Sequence, residues 1–156
     1  WVNSYKRLVP GYEAPVYTTW ASVNRSDLVR VPAYKPGKES AVRVEYRSPD
    51  PACNPYLAFS VMLASGLDGI EKKRRLPATH DGDAHDLSAA ERDRLKISML
   101  PQDLSQAIDQ AEGSELVRRA LGSHVFEKFI ENKKIEWSTY RAQVTGYELE
   151  RDLKLL

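Results

Sequence analysis

The chain has 156 residues and nearly balanced charge, with 23 Lys plus Arg against 22 Asp plus Glu. That length suits one domain with a sizeable core, and the balance excludes a protein built to neutralise a phosphate backbone, so no nucleic-acid partner is expected. No apolar run approaches the ~20 residues of a membrane span, no secretory signal pattern opens the chain, and the single cysteine, Cys53, excludes an internal disulfide framework. These features fit a soluble, cytoplasmic domain with no membrane partner. The start at Trp1, without an initiator methionine or a polar leader, fits a piece of a longer protein.

Val, Tyr, Thr and Pro dominate residues 1–50, and Pro10-Gly11 and Pro36-Gly37 punctuate them. Short strands are predicted over residues 14–23, 28–32 and 41–47. Between them Val9-Pro10-Gly11-Tyr12-Glu13-Ala14-Pro15 reads as a stiff loop, with Gly11 able to take positive φ and Glu13 projecting. It is either an acid-tipped lid or a surface turn. Residues 51–156 read as helical. Asn54 and Pro55 start a helix running to about residue 73, whose dense apolar residues Leu57, Phe59, Val61, Met62, Leu63 and Leu67 predict burial. Residues 76–86 form a loop, and Ser88 with Glu91 makes a capping box for a short helix. Helices follow over 103–112 and 114–121, and the longest is predicted over 123–144, with Phe126, Phe129, Ile130, Trp137, Tyr140 and Val144 along one face. The fold class is α+β, with antiparallel strands first and a mostly helical part after them.

The chemistry concentrates in Arg43-Val44-Glu45-Tyr46-Arg47. Residues two apart on a strand share a face, roughly 6.5 Å from one another. Arg43, Glu45 and Arg47 therefore lie on one side, while Val42, Val44 and Tyr46 face the core. A carboxylate flanked by guanidinium groups suits a metal–polyphosphate beside an anionic substrate, and it suits an exposed ion pair equally. Arg7 lies in a loop and Arg25 in Asn24-Arg25-Ser26. Arg30 interrupts an apolar run, where burial demands an anionic partner: Glu45, Asp27 or a ligand phosphate. His80, His85 and His124 have no metal-type spacing, and Cys53, preceding a helix, reads as packing.

These words resemble a known family. The run Asn3-Ser4-Tyr5-Lys6-Arg7-Leu8-Val9-Pro10-Gly11-Tyr12-Glu13-Ala14-Pro15 is similar to the glutamine synthetase segment leading into the lid over the glutamate site. Asn24-Arg25-Ser26, Val29-Arg30-Val31-Pro32 and Arg43-Val44-Glu45-Tyr46-Arg47-Ser48-Pro49-Asp50-Pro51, continuing into Ala52-Cys53-Asn54-Pro55-Tyr56-Leu57-Ala58-Phe59, resemble the following blocks in order. Leu121-Gly122-Ser123-His124-Val125-Phe126 and Glu136-Trp137-Ser138-Thr139-Tyr140-Arg141 match more loosely. The resemblance, to the bacterial and archaeal type I enzymes, covers residues 1–156 as a carboxy-terminal stretch of the catalytic domain.

It implies ATP-dependent ligation of ammonia to glutamate through γ-glutamyl phosphate, with Mg²⁺ or Mn²⁺. By the same resemblance Glu45 is a metal carboxylate, Arg7 and Arg47 hold glutamate, and Arg30 and Arg43 contact nucleotide phosphate. Arg25 steadies the transferring phosphoryl group and contacts the nucleotide, and Glu13 is the lid acid that helps take a proton from ammonium. Two catalytic residues are thus implied, Glu13 and Arg25. The family's amino-terminal β-grasp domain and most metal-binding glutamates are not in these residues, so the chain alone is expected to be inactive. The family's double-ring dodecamers imply a homo-oligomer with sites between subunits. His85 stands where some bacterial relatives carry an adenylylated tyrosine, so no adenylylation is expected. The alternatives are a relative that joins glutamate to polyamines or other amines, and a non-catalytic assembly module of the same shape.

Overall fold

Local capping signals set the helices. In the computed structural model, which describes residues 1–12, 14–22, 24–77 and 82–155, Asn54 Oδ1 accepts from the Tyr56 and Leu57 amides at 3.0 and 3.3 Å and opens α1, Pro55–Glu71. Ser88 and Glu91 close the expected capping box on α2, Ala89–Leu95. Asp103 and Ser114 cap α3, Leu104–Glu112, and α4, Glu115–Leu121. Each cap supplies an acceptor for an amide that the helix cannot satisfy itself.

Gly122 separates α4 from α5, Ser123–Arg141, at φ 72° and ψ 151°, a conformation open essentially to glycine. The longest helix stops at Arg141, short of the expected residue 144. Thr145 and Glu148 form a second capping box there and start α6, Gly146–Asp152, which the sequence reading did not separate. Val144, placed on the helix face by periodicity, lies between the two helices and is exposed.

The strands are shorter than expected. β1 is Trp20–Ala21, β2 is Val29–Arg30 and β3 is Glu45–Tyr46, in the order β1-β2-β3. β2 and β3 are antiparallel, with Val29 opposite Tyr46 and Arg30 opposite Glu45. β1 runs parallel to β2, correcting the all-antiparallel expectation. Competing partners shorten the segments. Tyr17 forms an isolated bridge to Met99, backed by Thr18 N donating to Ser98 O and Leu100 N to Val16 O, both 2.8 Å. Residues 39–41 form a 3₁₀ turn where the third strand was expected to begin.

Arg7, read as a loop residue, ends a 3₁₀ helix, Val2–Arg7. This turn is seated on α5. Val2 N donates to Glu136 Oε1 at 2.9 Å, and Lys133 Nζ bonds Glu136 Oε2 at 2.7 Å while lying 3.6 Å from the Trp1 ring centroid. Burial pushes the Glu136 carboxyl up, but the Lys133 and Val2 contacts outweigh it and hold it below the ordinary value.

The main core joins Leu104 and Ile108 of α3 to Phe126 and Ile130 of α5, with Val2, Tyr5, Phe129 and Trp137 against it. A smaller cluster gathers Val16, Tyr17 and Ala84, with Ile97 at its edge. Two burial expectations fail. α1 packs on α4 yet leaves Tyr56, Phe59, Leu63 and Ile70 exposed. Its one buried residue is Asp68, ion-paired with Lys72, Arg74 and Arg119 at 2.7, 3.0 and 3.6 Å. Val42, Val44 and Tyr46, placed in the core by strand alternation, are exposed as well, at or just before the edge strand β3.

This burial map sets the expected cost of truncation. Phe126→Ala, at a side chain 1% exposed, is expected to cost about 3–5 kcal/mol, whereas Phe59→Ala, 66% exposed, should leave the chain's midpoint in urea nearly unchanged. Equal shifts for the two variants would show that α1 is covered in solution. Among the described residues nothing lies within 4 Å of where a side-chain carbon at position 122 would stand. Gly122→Ala should therefore cost about 1–3 kcal/mol from backbone strain alone, read in the same experiment.

Candidate functional site

Register places the first charged group. Arg30 and Glu45 are direct partners across β2 and β3, so their side chains leave on the same face. Arg30 Nη1 lies 3.1 Å from Glu45 Oε2, so Glu45 is an anionic partner of the arginine in the apolar run. Arg43, two residues before Glu45, brings Nη2 to 2.7 Å and Nε to 2.9 Å from Glu45 Oε1. The Glu45 carboxylate thus sits between two guanidinium groups. Desolvation pushes its pKa up, but the hydrogen bonds and charges of Arg43 and Arg30 outweigh it, so the group lies below its ordinary value. Arg30 Nε is buried with no hydrogen-bond partner among the described residues.

Arg47 continues the alternation of Arg43 and Glu45. Its amide donates to Leu28 O at 2.9 Å and its Nη1 donates to the Arg25 carbonyl. Arg7, at the end of the 3₁₀ turn, donates from Nη2 to Ser48 O at 2.8 Å and more weakly to Pro49 O at 3.4 Å. Arg7 and Arg47 line one cleft of about 400 Å³ with Lys6, Val9, Tyr12, Ala14 and Pro15. Two arginines and a lysine line this one opening, and a guanidinium fork has the geometry to pair with a carboxylate or phosphate.

Arg7 and Arg47 meet, and so do Arg30, Glu45 and Arg43. Arg25 joins through its main chain, with its side chain exposed. Glu13 lies outside the described residues, while its neighbours Tyr12 and Ala14 line the cleft and Gly11 takes the expected positive φ of 91°. Lys6 and Tyr12 were not singled out from the sequence; their position beside Arg7 and Glu13 was the available signal. A larger cleft, about 520 Å³, lies among Glu112, Arg118, Phe126, Ile130 and Lys134. Its charges pair with one another, Lys134 with Glu112 and Arg118 with Glu127, and it shares no residue with the arginine cluster.

Among the described residues no three His, Cys, Asp or Glu side chains converge as a metal cage. Both oxygens of Glu45 already accept from guanidinium groups. These residues alone do not fit a divalent metal, which takes several oxygen ligands.

The chain is similar to known proteins. The family described as "Glutamine synthetase, catalytic domain" matches residues 1–152. A glutamine synthetase of Mycobacterium bovis is 53% identical over 155 residues, which is 99% of this chain and 35% of that protein. One from Methanocaldococcus jannaschii is 50% identical over 147 residues, 94% of this chain and 32% of that protein. The chain therefore spans about a third of the length of these relatives. Among solved structures, one described as "GmaS/ADP complex-Conformation 1" superposes with a TM-score of 0.79 at 34% identity, covering 98% of this chain and 34% of that one. A Plasmodium falciparum glutamine synthetase shares the fold, with a TM-score of 0.76 at 21% identity over 97% of this chain and 37% of that one.

Because the Glu45 pKa is depressed in the folded state, the linkage contributes stability above the ordinary carboxylate value and loses it as pH falls through the folded value. Carboxyl ¹³C NMR should give a Glu45 midpoint below the ordinary 4.5, moving up in Arg43→Ala. An ordinary midpoint insensitive to Arg43 would contradict the geometry.

Proposed function

The chain belongs to the glutamine synthetase catalytic-domain family, and from that premise we propose that it supplies the anion-binding part of an ATP-dependent ligase that joins ammonia to glutamate. The observation that carries this reading is the cleft shared by Arg7 and Arg47, next along the strand from the Arg30–Glu45–Arg43 group. Arg7 and Arg47 hold the glutamate substrate. Arg30 and Arg43 contact nucleotide phosphate, a role supported by the 34%-identical relative described with ADP. Arg25, fixed through its carbonyl to Arg47, steadies the transferring phosphoryl group.

In the proposed reaction a side-chain carboxylate oxygen of glutamate attacks the terminal phosphorus of ATP, and ADP departs. Ammonia then attacks the acyl carbon of γ-glutamyl phosphate, a proton leaves the nitrogen, and inorganic phosphate departs with the C–O bonding pair. The arginines act by positioning and charge neutralisation, the main needs of phosphoryl transfer. Glu13 is the proposed lid acid that takes the proton from ammonium. Family membership brings a divalent cation into the reaction. Glu45 is proposed as one carboxylate ligand of a cation site whose other ligands lie outside these residues, and the chain alone is accordingly proposed to be inactive. A homo-oligomer, a dodecamer in the complete enzyme, is proposed on the same ground.

In the complete protein, ADP release dependent on glutamate and ammonia tests the reading. Losing a charged hydrogen bond costs about 1.5–3 kcal/mol, or roughly 10–100-fold. Arg47→Ala should therefore raise the glutamate KM at least about tenfold while leaving the ATP KM within about threefold, and Arg30→Ala should do the reverse. The 156-residue chain alone should release no ADP in a glutamate-dependent way. Turnover by that chain, or an Arg47 variant with unchanged glutamate KM, would overturn the assignment.

A further inference from the structure

The turn that carries Arg25 is held from outside the strand region. Asn24 Oδ1 accepts from the Ser26 amide at 3.2 Å, shaping the turn around Arg25. Two contacts then cross to a segment far along the chain. Ser26 Oγ donates to Asp83 Oδ1 at 3.3 Å, and Asn24 Nδ2 donates to the Gly82 carbonyl at 3.4 Å. The Arg25 carbonyl between them accepts from Arg47.

The far segment is itself anchored. Asp83 Oδ1 also accepts from the His85 amide at 3.1 Å, and the Asp86 amide donates to Asp83 O at 3.0 Å, so the turn around Asp83 is closed on itself. Ala84 is buried against Val16 and Tyr17. The His85 ring meets Tyr17 edge-on at 5.2 Å, and the Arg92 guanidinium stacks 5.0 Å from the Tyr17 ring centroid. Arg92 Nη1 donates to the Ala84 and Leu87 carbonyls. Residues 82–87 are therefore clamped between the Tyr17 cluster and α2, with Gly82 and Asp83 presented to the Arg25 turn.

We infer that Asp83 is a positioning residue of the arginine site: through Ser26 it fixes the turn bearing Arg25 and, through the Arg25 carbonyl, the guanidinium of Arg47. This rests on the function proposed above. The effect of Asp83 is the placement of Arg25 and Arg47, the two groups to which the proposed function assigns substrate contacts. Misplacement of a positioning group by an ångström costs rate steeply. The Arg30–Glu45–Arg43 group is held by its own strand register and does not depend on this contact.

The test is steady-state kinetics of the complete protein with Asp83→Ala, Asp83→Asn and Ser26→Ala. Asp83→Ala should lower kcat about tenfold and raise the glutamate KM about fivefold, with the ATP KM and the thermal midpoint little changed. Asn keeps an oxygen where both donors point, so Asp83→Asn should restore both parameters to within about threefold of the parent. Ser26→Ala should resemble Asp83→Ala, and the double variant should be no worse than either. A drop in kcat with both KM values unchanged and a lowered midpoint would make Asp83 merely structural and overturn the inference. So would an Asp83→Ala variant with parental kinetics, or failure of Asn to rescue. Hydrogen exchange over residues 24–28 provides a readout independent of turnover: it should rise in Asp83→Ala and not in Asp83→Asn. If the parent protein shows no glutamate-dependent turnover, the proposed function fails by itself, and unchanged exchange still overturns the positioning role.

Discussion

The pairing of Arg30 with Glu45 across two short strands sets the geometry of the arginine site. Each strand has only two residues, and few ladder hydrogen bonds define the register. The charges add a side-chain specification to it. A one-residue slip would send Arg43, Glu45 and Arg47 to the opposite face and exchange them for Val42, Val44 and Tyr46. Hydrophobic burial does not oppose such a slip, since those three are exposed in the observed register. The ion pair thus specifies a register that hydrophobic burial within this chain does not, a use of paired charges more secure than any claim of large stabilisation.

From that register the rest of the site follows by short steps. Arg47 lands beside the Arg25 carbonyl because it continues the alternation begun by Arg43. Arg7 reaches Ser48 and Pro49, immediately after Arg47, because the 3₁₀ turn that ends in Arg7 is seated on α5 through Val2 and Glu136. The helical core of α3 and α5 therefore acts on the site at one remove, by fixing where residue 7 stands. The second small cluster does the same for residue 25, by way of Tyr17, Ala84 and Asp83.

The sequence showed what depends on near neighbours. Asn54 and Ser88 were readable as caps because a cap needs only the next few amides, and Gly11 showed its turn for the same reason. The arginines of the site were readable by strand alternation and by resemblance. Thr145 and Glu148 make an equally local box, but the aromatic periodicity before them ran on past Arg141 and masked it. What failed needed distant partners. The apolar density of α1 predicted burial, and density says nothing about whether a covering surface lies in the same chain. Strand propensity over residues 14–23 could not foresee that Tyr17 would pair with Met99 instead. Asp83 sits 57 residues from Ser26, and no spacing rule connects them.

The exposed face of α1 bears on how the arginine site is to be understood. A helix that shows Tyr56, Phe59, Leu63 and Ile70 to water while burying Asp68 among three cations is inverted relative to a helix on a finished core. The buried carboxylate is held by Lys72 first, then, against the opposing cost of desolvation, by Arg74, and lies below its ordinary value. Of the three ion pairs, only Asp68–Arg119 crosses to α4, and the exposed apolar side is left for some other surface. The edge face of β3 is in the same position, with Val42, Val44 and Tyr46 opposite the charged residues. One side of β3 therefore carries the charged residues and the other carries exposed apolar area. Whatever covers that apolar face would stiffen the strand that positions Glu45 and Arg47, so packing on one side of the sheet and charge placement on the other are a single mechanical problem.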